Sequence, residues 1–422
     1  MYLFSPYLKC IYIWSILLGA VFSQECNVME HGAIGDGMTD DTISIQSVID
    51  DLSCSSILIP KGNTFISGSI FLRSNLEFIV DGELLGSPDY KNKAVWPNIY
   101  TRRAGLMVNT TASLVNGGQC LKMIDGYIAR PPYIHGDQCE EWNILTNVSL
   151  HGEGVINGNG NCGWATDEST KSNRPTLLGL GHITGLEIFN LLLTNPAFWT
   201  CHVLFSENVH IHDLKIDTSS EDTVNNADGI DPDSSKNVLI EDCTVTSNDD
   251  VIAIKSGINE DGRAVGIPSQ NITVRNMYFE QGRGISIGSE TSGDIRDIFI
   301  SDIKMNGTKR GVRIKSQAGR GGVVKNIVYE RIEMTDVSTA ISITMEYSDG
   351  VGPLPTFENI IVKDIVGDSI QQCGEIVCEK RSKCTGMLFE NITLNAADGY
   401  TQCQYVEGIQ ENVYPSIPCI IE

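Results

Sequence analysis

Residues 208–216 read NVHIHDLKI, residues 237–245 NVLIEDCTV and residues 271–279 NITVRNMYF. Apolar and polar residues alternate in each, as in a strand with one buried and one wet face. The phrase recurs on both sides. GLEIFNLLL begins at 185, DIFISDIKM at 297, NIVYERIEM at 326 and NIIVKDIVG at 359. Successive starts lie 23, 29, 34, 26, 29 and 33 residues apart, and no segment among them keeps a helical period for long. Short strands at this interval cannot bury their apolar faces alone. They stack coil upon coil into an all-β solenoid, the parallel β-helix. A β-propeller repeats at ~40 residues or more and carries other signatures.

A second set of strands shares one frame: GIDPDS (229–234), VIAIKS (251–256), GISIGS (284–289), GVRIKS (311–316) and AISITM (340–345). Ile230, Ile252, Ile285, Val312 and Ile341 form one inward column, and Pro232, Ile254, Ile287, Ile314 and Ile343 the next. The intervening residues point outward, because strand side chains alternate. Two places before the first column stand Asp228, Asp250, Arg283, Arg310 and Thr339. Coils repeat at ~4.8 Å, so Asp228 and Asp250 become neighbours, with Asp249 beside them. Arg313 and Lys315 fall on outward positions of a later coil, and Lys255 shares the Lys315 column.

Three carboxylates beside cations suit glycoside hydrolysis. One carboxyl protonates the leaving oxygen while another activates water, and crowding keeps one of them protonated. Turns rich in Asp, Asn and Gly are the plain alternative for any single aspartate. A cation held by Asp228, Asp231, Asp233, Asp249 and Asp250 is a further one, although Lys255 and Lys315 would crowd it.

Composition narrows the class. The formal charge of −23 argues against nucleic acid as a partner, because binding it requires a cationic face. Residues 1–23 read as a secretory signal: Lys9 precedes the apolar CIYIWSILLGAVF, and Val21 and Ser23 are small enough for a cleavage site. Residues 24–422 are then expected to form one secreted, monomeric β-helix catalytic domain. No later segment approaches the ~20 apolar residues of a membrane span. Thirteen cysteines, twelve without Cys10, suit an oxidising compartment. The absence of CxxC argues against a structural zinc site, and the pairing stays open. Sequons at Asn109, Asn147, Asn271, Asn306 and Asn391 fit a secreted glycoprotein.

NADG (226–229), DD (249–250), GRG (282–284) and RIK (313–315) occur in that order. The set resembles glycoside hydrolase family 28, the polygalacturonases, whose motifs are NTD, DD, GHG and RIK. HGAIGDGMTDDTISIQSVID (31–50), GVINGNG (154–160) and NPAFWTCHV (195–203) extend the likeness over most of the chain. The resemblance implies a right-handed, single-stranded, pectin-lyase-like parallel β-helix and an inverting, cofactor- and metal-free hydrolysis of α-linked galacturonic acid in pectin. It gives Asp249 as the general acid, Asp228 and Asp250 as the pair that polarises water, and Arg313 and Lys315 as binders of the substrate carboxylate.

The chain departs from the pattern mildly at Ala227, where the family has Thr, and more strongly at two further places. Arg283 stands where the family has His, and is expected either to hold a galacturonate carboxylate or to pair with Asp250. The family often bridges the positions held here by Val251 and Phe279 with a disulfide. SGINEDGRAVGIPSQNITV (256–274) and IGSETSG (287–293) look more like exo-acting members, and the irregular stretch 90–146 is the expected wall of a closed cleft. His202 is a candidate sugar contact. Rhamnogalacturonan or xylogalacturonan hydrolysis, a catalytically impaired pectin-binding β-helix, and a lyase on the same fold are the competing readings.

Overall fold

The computed structural model describes residues 24–123, 139–164, 167, 169, 173–219 and 225–420. The expected signal segment 1–23 lies outside them, as does part of the stretch expected to wall the cleft. The chain winds as a right-handed parallel β-helix in which 29 strands form one continuous sheet. Three stacks run along it. The first contains Ile183–Phe189, Glu207–His212 and Lys236–Glu241 in parallel register. The second contains Leu192–Thr194, Lys215–Asp217 and Thr244–Thr246. The third contains Cys201–Leu204, Ile230–Asp233, Ile252–Ile254, Ile285–Gly288, Arg310–Lys315 and Thr339–Thr344. Its register joins Ile230, Ile252, Ile285, Val312 and Ile341 as neighbours, which is the column expected from the sequence.

The repeated phrase also fixes the bends of each coil. Asn208, Asn237, Asn271, Asp297, Asn326 and Asn359 open their phrases with φ between 52° and 59°. Five residues later Asp213, Asp242, Asn276, Asp302, Arg331 and Asp364 have φ between 50° and 58°. Asn and Asp tolerate this left-handed conformation better than other side chains, so they mark the corners at both ends of the strand. Between the corners, pairs such as Val209 and Ile211, or Val238 and Ile240, point inward and are buried. Each such residue contributes roughly 1.5–3 kcal/mol on burial.

A stack of coils has two open ends, and both are covered. Helix Thr42–Asp50 lays Ile45, Val48 and Ile49 on the first coils. The buried Asp41 at its start accepts hydrogen bonds from the Ile34 and Gly35 amides. At the other end Ile417 and Ile420 join the core, and the disulfide Cys403–Cys419 ties that segment down. The other disulfides are Cys26–Cys54, Cys120–Cys139 and Cys378–Cys384. Val251 and Phe279, where the family bridge is absent, are both buried in the apolar core. Among the described residues, no helix is long and apolar enough to cross a membrane.

Candidate active site

The third stack places the aspartates. Asp250 ends the turn before Ile252–Ile254, and its carbonyl accepts the amide of Gly229, next to Asp228 on the preceding coil. Oxygen atoms of Asp228, Asp249 and Asp250 lie within 4.8 Å of one another, and all three residues are buried. The next coil passes tightly beneath. Gly284 has φ +67°, and a Cβ there would stand 2.0 Å from the Arg310 carbonyl oxygen. That position therefore requires glycine.

Each carboxylate meets a different cation. Asp250 Oδ1 accepts from Arg313 Nη1 at 2.9 Å and Ser286 Oγ at 2.8 Å, and its Oδ2 from Lys315 Nζ at 2.5 Å. Asp228 Oδ2 accepts from Lys255 Nζ at 3.1 Å, and the same nitrogen reaches Asp231 Oδ2 at 3.0 Å. The Trp199 ring caps Lys255, with Nζ 3.4 Å from the ring centre. Asp249 Oδ1 accepts from Arg283 Nη1 at 3.0 Å. Arg283 thus pairs with Asp249 and not with Asp250, and its backbone amide also donates to the Asp249 carbonyl at 2.7 Å.

These surroundings separate the three acids. Burial pushes Asp228 up to about 6; Asp250 and Asp249 add to the push while Lys255 opposes it. Burial and the charge of Asp250 raise Asp249, against Arg283 and Lys315. Burial also works against ionised Asp250, but Lys315 and Arg313 outweigh it and hold that carboxyl below its ordinary range. The cluster therefore contains one firmly ionised carboxylate beside two that retain protons more readily. Asp228 Oδ1 is buried without a hydrogen-bond partner among the described residues.

His202 stands on the outward face of the third stack, in register with Asp231, and is buried there. Its Nε2 lies 3.2 Å from Asp233 Oδ2, and its ring meets the Trp199 ring edge-on. The other Asp233 oxygen receives Arg102 Nη1 at 2.6 Å. Arg102 comes from the antiparallel hairpin Asn98–Arg103/Leu106–Thr111, in the stretch expected to form a wall. Three contacts were not foreseen: Ser286 on Asp250, Lys255 bridging Asp228 and Asp231, and Tyr347 near Arg313 and Lys315. The strand frame could have given Ser286, which lies in register with Arg313. Tyr347 follows the last strand of the frame, where alternation no longer indicates direction.

A solenoid with clustered carboxylates and cations on one stack has the build of a glycoside hydrolase. The chain belongs to glycosyl hydrolases family 28, which it matches over residues 137–414; residues 26–163 match rhamnogalacturonase A/epimerase, pectate lyase-like. An endo-polygalacturonase of Pectobacterium parmentieri is 30% identical over 334 residues, covering 74% of each chain. A probable polygalacturonase of Vitis vinifera is 28% identical over 425 residues, covering 94% of this chain and 80% of its own. An exopolygalacturonase structure from Thermotoga maritima superposes with a TM-score of 0.78 at 24% identity, over 92% of this chain and 91% of that one.

Proposed function

We propose that this enzyme hydrolyses α-1,4-galacturonosyl linkages of pectic galacturonan, from a chain end and with inversion. The observation that carries the reading is the charge column itself: three clustered aspartates with Arg313 and Lys315 on adjoining outward positions. In a chain of formal charge −23, local cations must attract a uronate to carboxylates. In this reading Asp249 donates the proton to the leaving oxygen. Asp228, through its unpartnered Oδ1, and Asp250 polarise the attacking water. Both Asp250 oxygens are already engaged, which disfavours it as a nucleophile. The nearest carboxylate oxygens are closer than the ~6.5–9.5 Å between carboxyls of most inverting pairs. Inversion therefore rests on the family resemblance and on those engaged oxygens.

Chain-end action is supported by the unequal ends of the cleft. Toward earlier coils, the hairpin is pinned by Arg102 on Asp233, by Arg103 stacked 3.9 Å over Phe198, and by Asp261 accepting the Met107 amide at 3.1 Å. Beneath it remains a cavity of about 20 Å³ lined by Trp199 and His202. Toward later coils, Arg310, Arg313, Tyr347 and Glu375 line an open groove of about 380 Å³. Among the described residues, four disulfides and five exposed sequon asparagines support secretion as a glycoprotein.

Digestion of defined oligogalacturonides tests linkage, mode and stereochemistry together. Monomer or dimer released from one end, with the β-anomer appearing first, is the expected product. Internal cleavage would overturn the exo reading, and no release between pH 4 and 7 would overturn the activity. The contact of Arg283 with Asp249 favours one second reading, a pectin-binding β-helix without turnover. Binding without hydrolysis in the natural chain, with hydrolysis appearing in Arg283→His, would establish that reading.

A further inference from the structure

On the first stack, away from the aspartate column, HIH at 210–212 places two imidazoles on the same outward face. Glu187 stands opposite His210 on the neighbouring coil, and Phe189 opposite His212. The exposed Glu187 Oε1 lies 3.8 Å from His210 Nδ1 and 3.5 Å from His212 Nε2. The remaining ring nitrogens are already used. His210 Nε2 lies 2.9 Å from Glu241 Oε1, and His212 Nδ1 lies 2.7 Å from Asp213 Oδ2. A carboxylate only accepts, so these two nitrogens carry the ring protons. That leaves His210 Nδ1 and His212 Nε2, both beside the same Glu187 oxygen, as the ring nitrogens available to a cation. His212 Nε2 is buried and has no hydrogen-bond partner among the described residues.

We infer that Glu187, His210 and His212 form a binding site for a divalent transition metal such as zinc, which clamps two adjacent coils. Separations of 3.5 and 3.8 Å are too long for hydrogen bonds. They approach the ~3.3–3.5 Å edge of a tetrahedron whose metal–ligand bonds are ~2.0–2.2 Å. One ligand atom from each of the three residues lies within 4.8 Å of the others, and the two imidazole rings are 4.2 Å apart. Glu241 and Asp213 supply the outer carboxylates that fix tautomer and orientation at histidine metal sites. Phe189 holds the His212 ring plane, stacked at 4.9 Å and 4°, and is itself stacked on His151 at 4.5 Å and 7°. Two imidazoles and one carboxylate suit zinc, cobalt or nickel better than calcium or magnesium, which prefer all-oxygen shells. The absence of CxxC gave no hint of such a site, because its ligands are His and Glu and come from two coils.

The rival occupant is the proton: two imidazolium rings would satisfy Glu187 without a metal. Calorimetric titration of the EDTA-treated full chain with zinc at pH 7.5 separates them. One zinc per chain is expected, with a melting temperature that rises with zinc concentration. Cobalt in its place should give the visible absorption of a four-coordinate ion. His212→Gln should abolish both signals, and Asp213→Asn should weaken zinc by about 10–100-fold. If His212→Gln does not fold, Glu187→Gln carries the same test. Absence of stoichiometric binding, or zinc affinity unchanged in both His212→Gln and Glu187→Gln, overturns the inference.

Discussion

Two columns run along this solenoid at the same coil spacing and solve opposite problems. At the first corner, Asn237 Nδ2 donates to Asn208 Oδ1 at 3.0 Å, and Asn271 Nδ2 donates to Asn237 Oδ1 at 2.8 Å. An amide both donates and accepts, so identical residues satisfy one another and the column can repeat indefinitely. On the third stack, the carboxylates of Asp228, Asp249 and Asp250 only accept, and stacking them is unfavourable. Lys255, Arg283, Arg313 and Lys315 each enter to offset that repulsion. Repetition maintains the first column, whereas the second exists because repetition was broken. The amide column can therefore extend without counter-ions, whereas the carboxylate column depends on its cations.

The comparison breaks most sharply at Asp249. Asp249→Asn should lower turnover by about 10²–10⁴-fold while leaving galacturonan binding and melting temperature nearly unchanged. Turnover within a few-fold of the natural chain would make Asp249 a corner residue like Asn237. Lys315→Gln and Arg313→Gln should act on both binding and stability. The sequence alone leaves these cations free for substrate, but in the structure both are buried on Asp250. Removing either leaves that charge under-compensated, and breaking a buried pair costs about 3–5 kcal/mol at most. Denaturant unfolding should show the loss, and oligogalacturonide affinity should fall with it. Unchanged stability with weakened binding would show that the cations serve the substrate alone.

Smaller effects follow from pH. Burial raises Asp228 from its ordinary 3.8 to about 6, so the folded state holds that proton more tightly than the unfolded chain. Its contribution to stability is present below the unfolded value and is lost as pH rises through about 6. Asp250, held low, acts in the other direction, and its contribution is lost only as pH falls through its depressed folded value. Asp231 and Glu290, also raised by burial, act with Asp228, while His182 and His202, lowered by burial, act against it. The melting temperature of Asp228→Asn should therefore fall relative to that of the natural chain as pH is lowered from 7 toward 4.5. Arg283 opposes the proton on Asp249. Arg283→Gln should accordingly move the alkaline limb of the pH–rate profile to higher pH; a shift to lower pH would remove Asp249 as the acid.

What the sequence revealed follows the same division. Phrases such as NVLIED declared the coil, its inward Val238 and Ile240, and the frame that aligns Ile252 with Ile285, because alternation and stacking are local rules. The same frame brought Asp228, Asp250, Arg313 and Lys315 to one face. It could not indicate which cation meets which carboxylate, because that depends on side-chain reach across coils. Arg283 reaches Asp249 from 34 residues away, and Arg313 reaches Asp250 from 63. Nor could it show that the hairpin carrying Arg102 folds onto Asp233, a contact spanning 131 residues with no repeat to guide it.

The smallest effect tests the amide column directly. Asn237 is exposed, has φ 55°, and both donates to Asn208 and accepts from Asn271. Asn237→Ala removes two amide hydrogen bonds, each worth about 0.5–1.5 kcal/mol net. It also puts a residue without a local hydrogen-bonding side chain into a left-handed corner, which costs roughly 1–2 kcal/mol. Asn237→Gly removes the same hydrogen bonds but tolerates the corner. The alanine variant should therefore be the less stable by about 1–2 kcal/mol, measured by denaturant unfolding, with turnover on galacturonan unaltered in both. Equal losses in the two variants would mean that the amides alone hold the corner. A loss in Asn237→Ala with none in Asn237→Gly would mean that backbone conformation holds it and that the amide chain is incidental. A fall in turnover with stability intact would couple the two columns and remove the division between them.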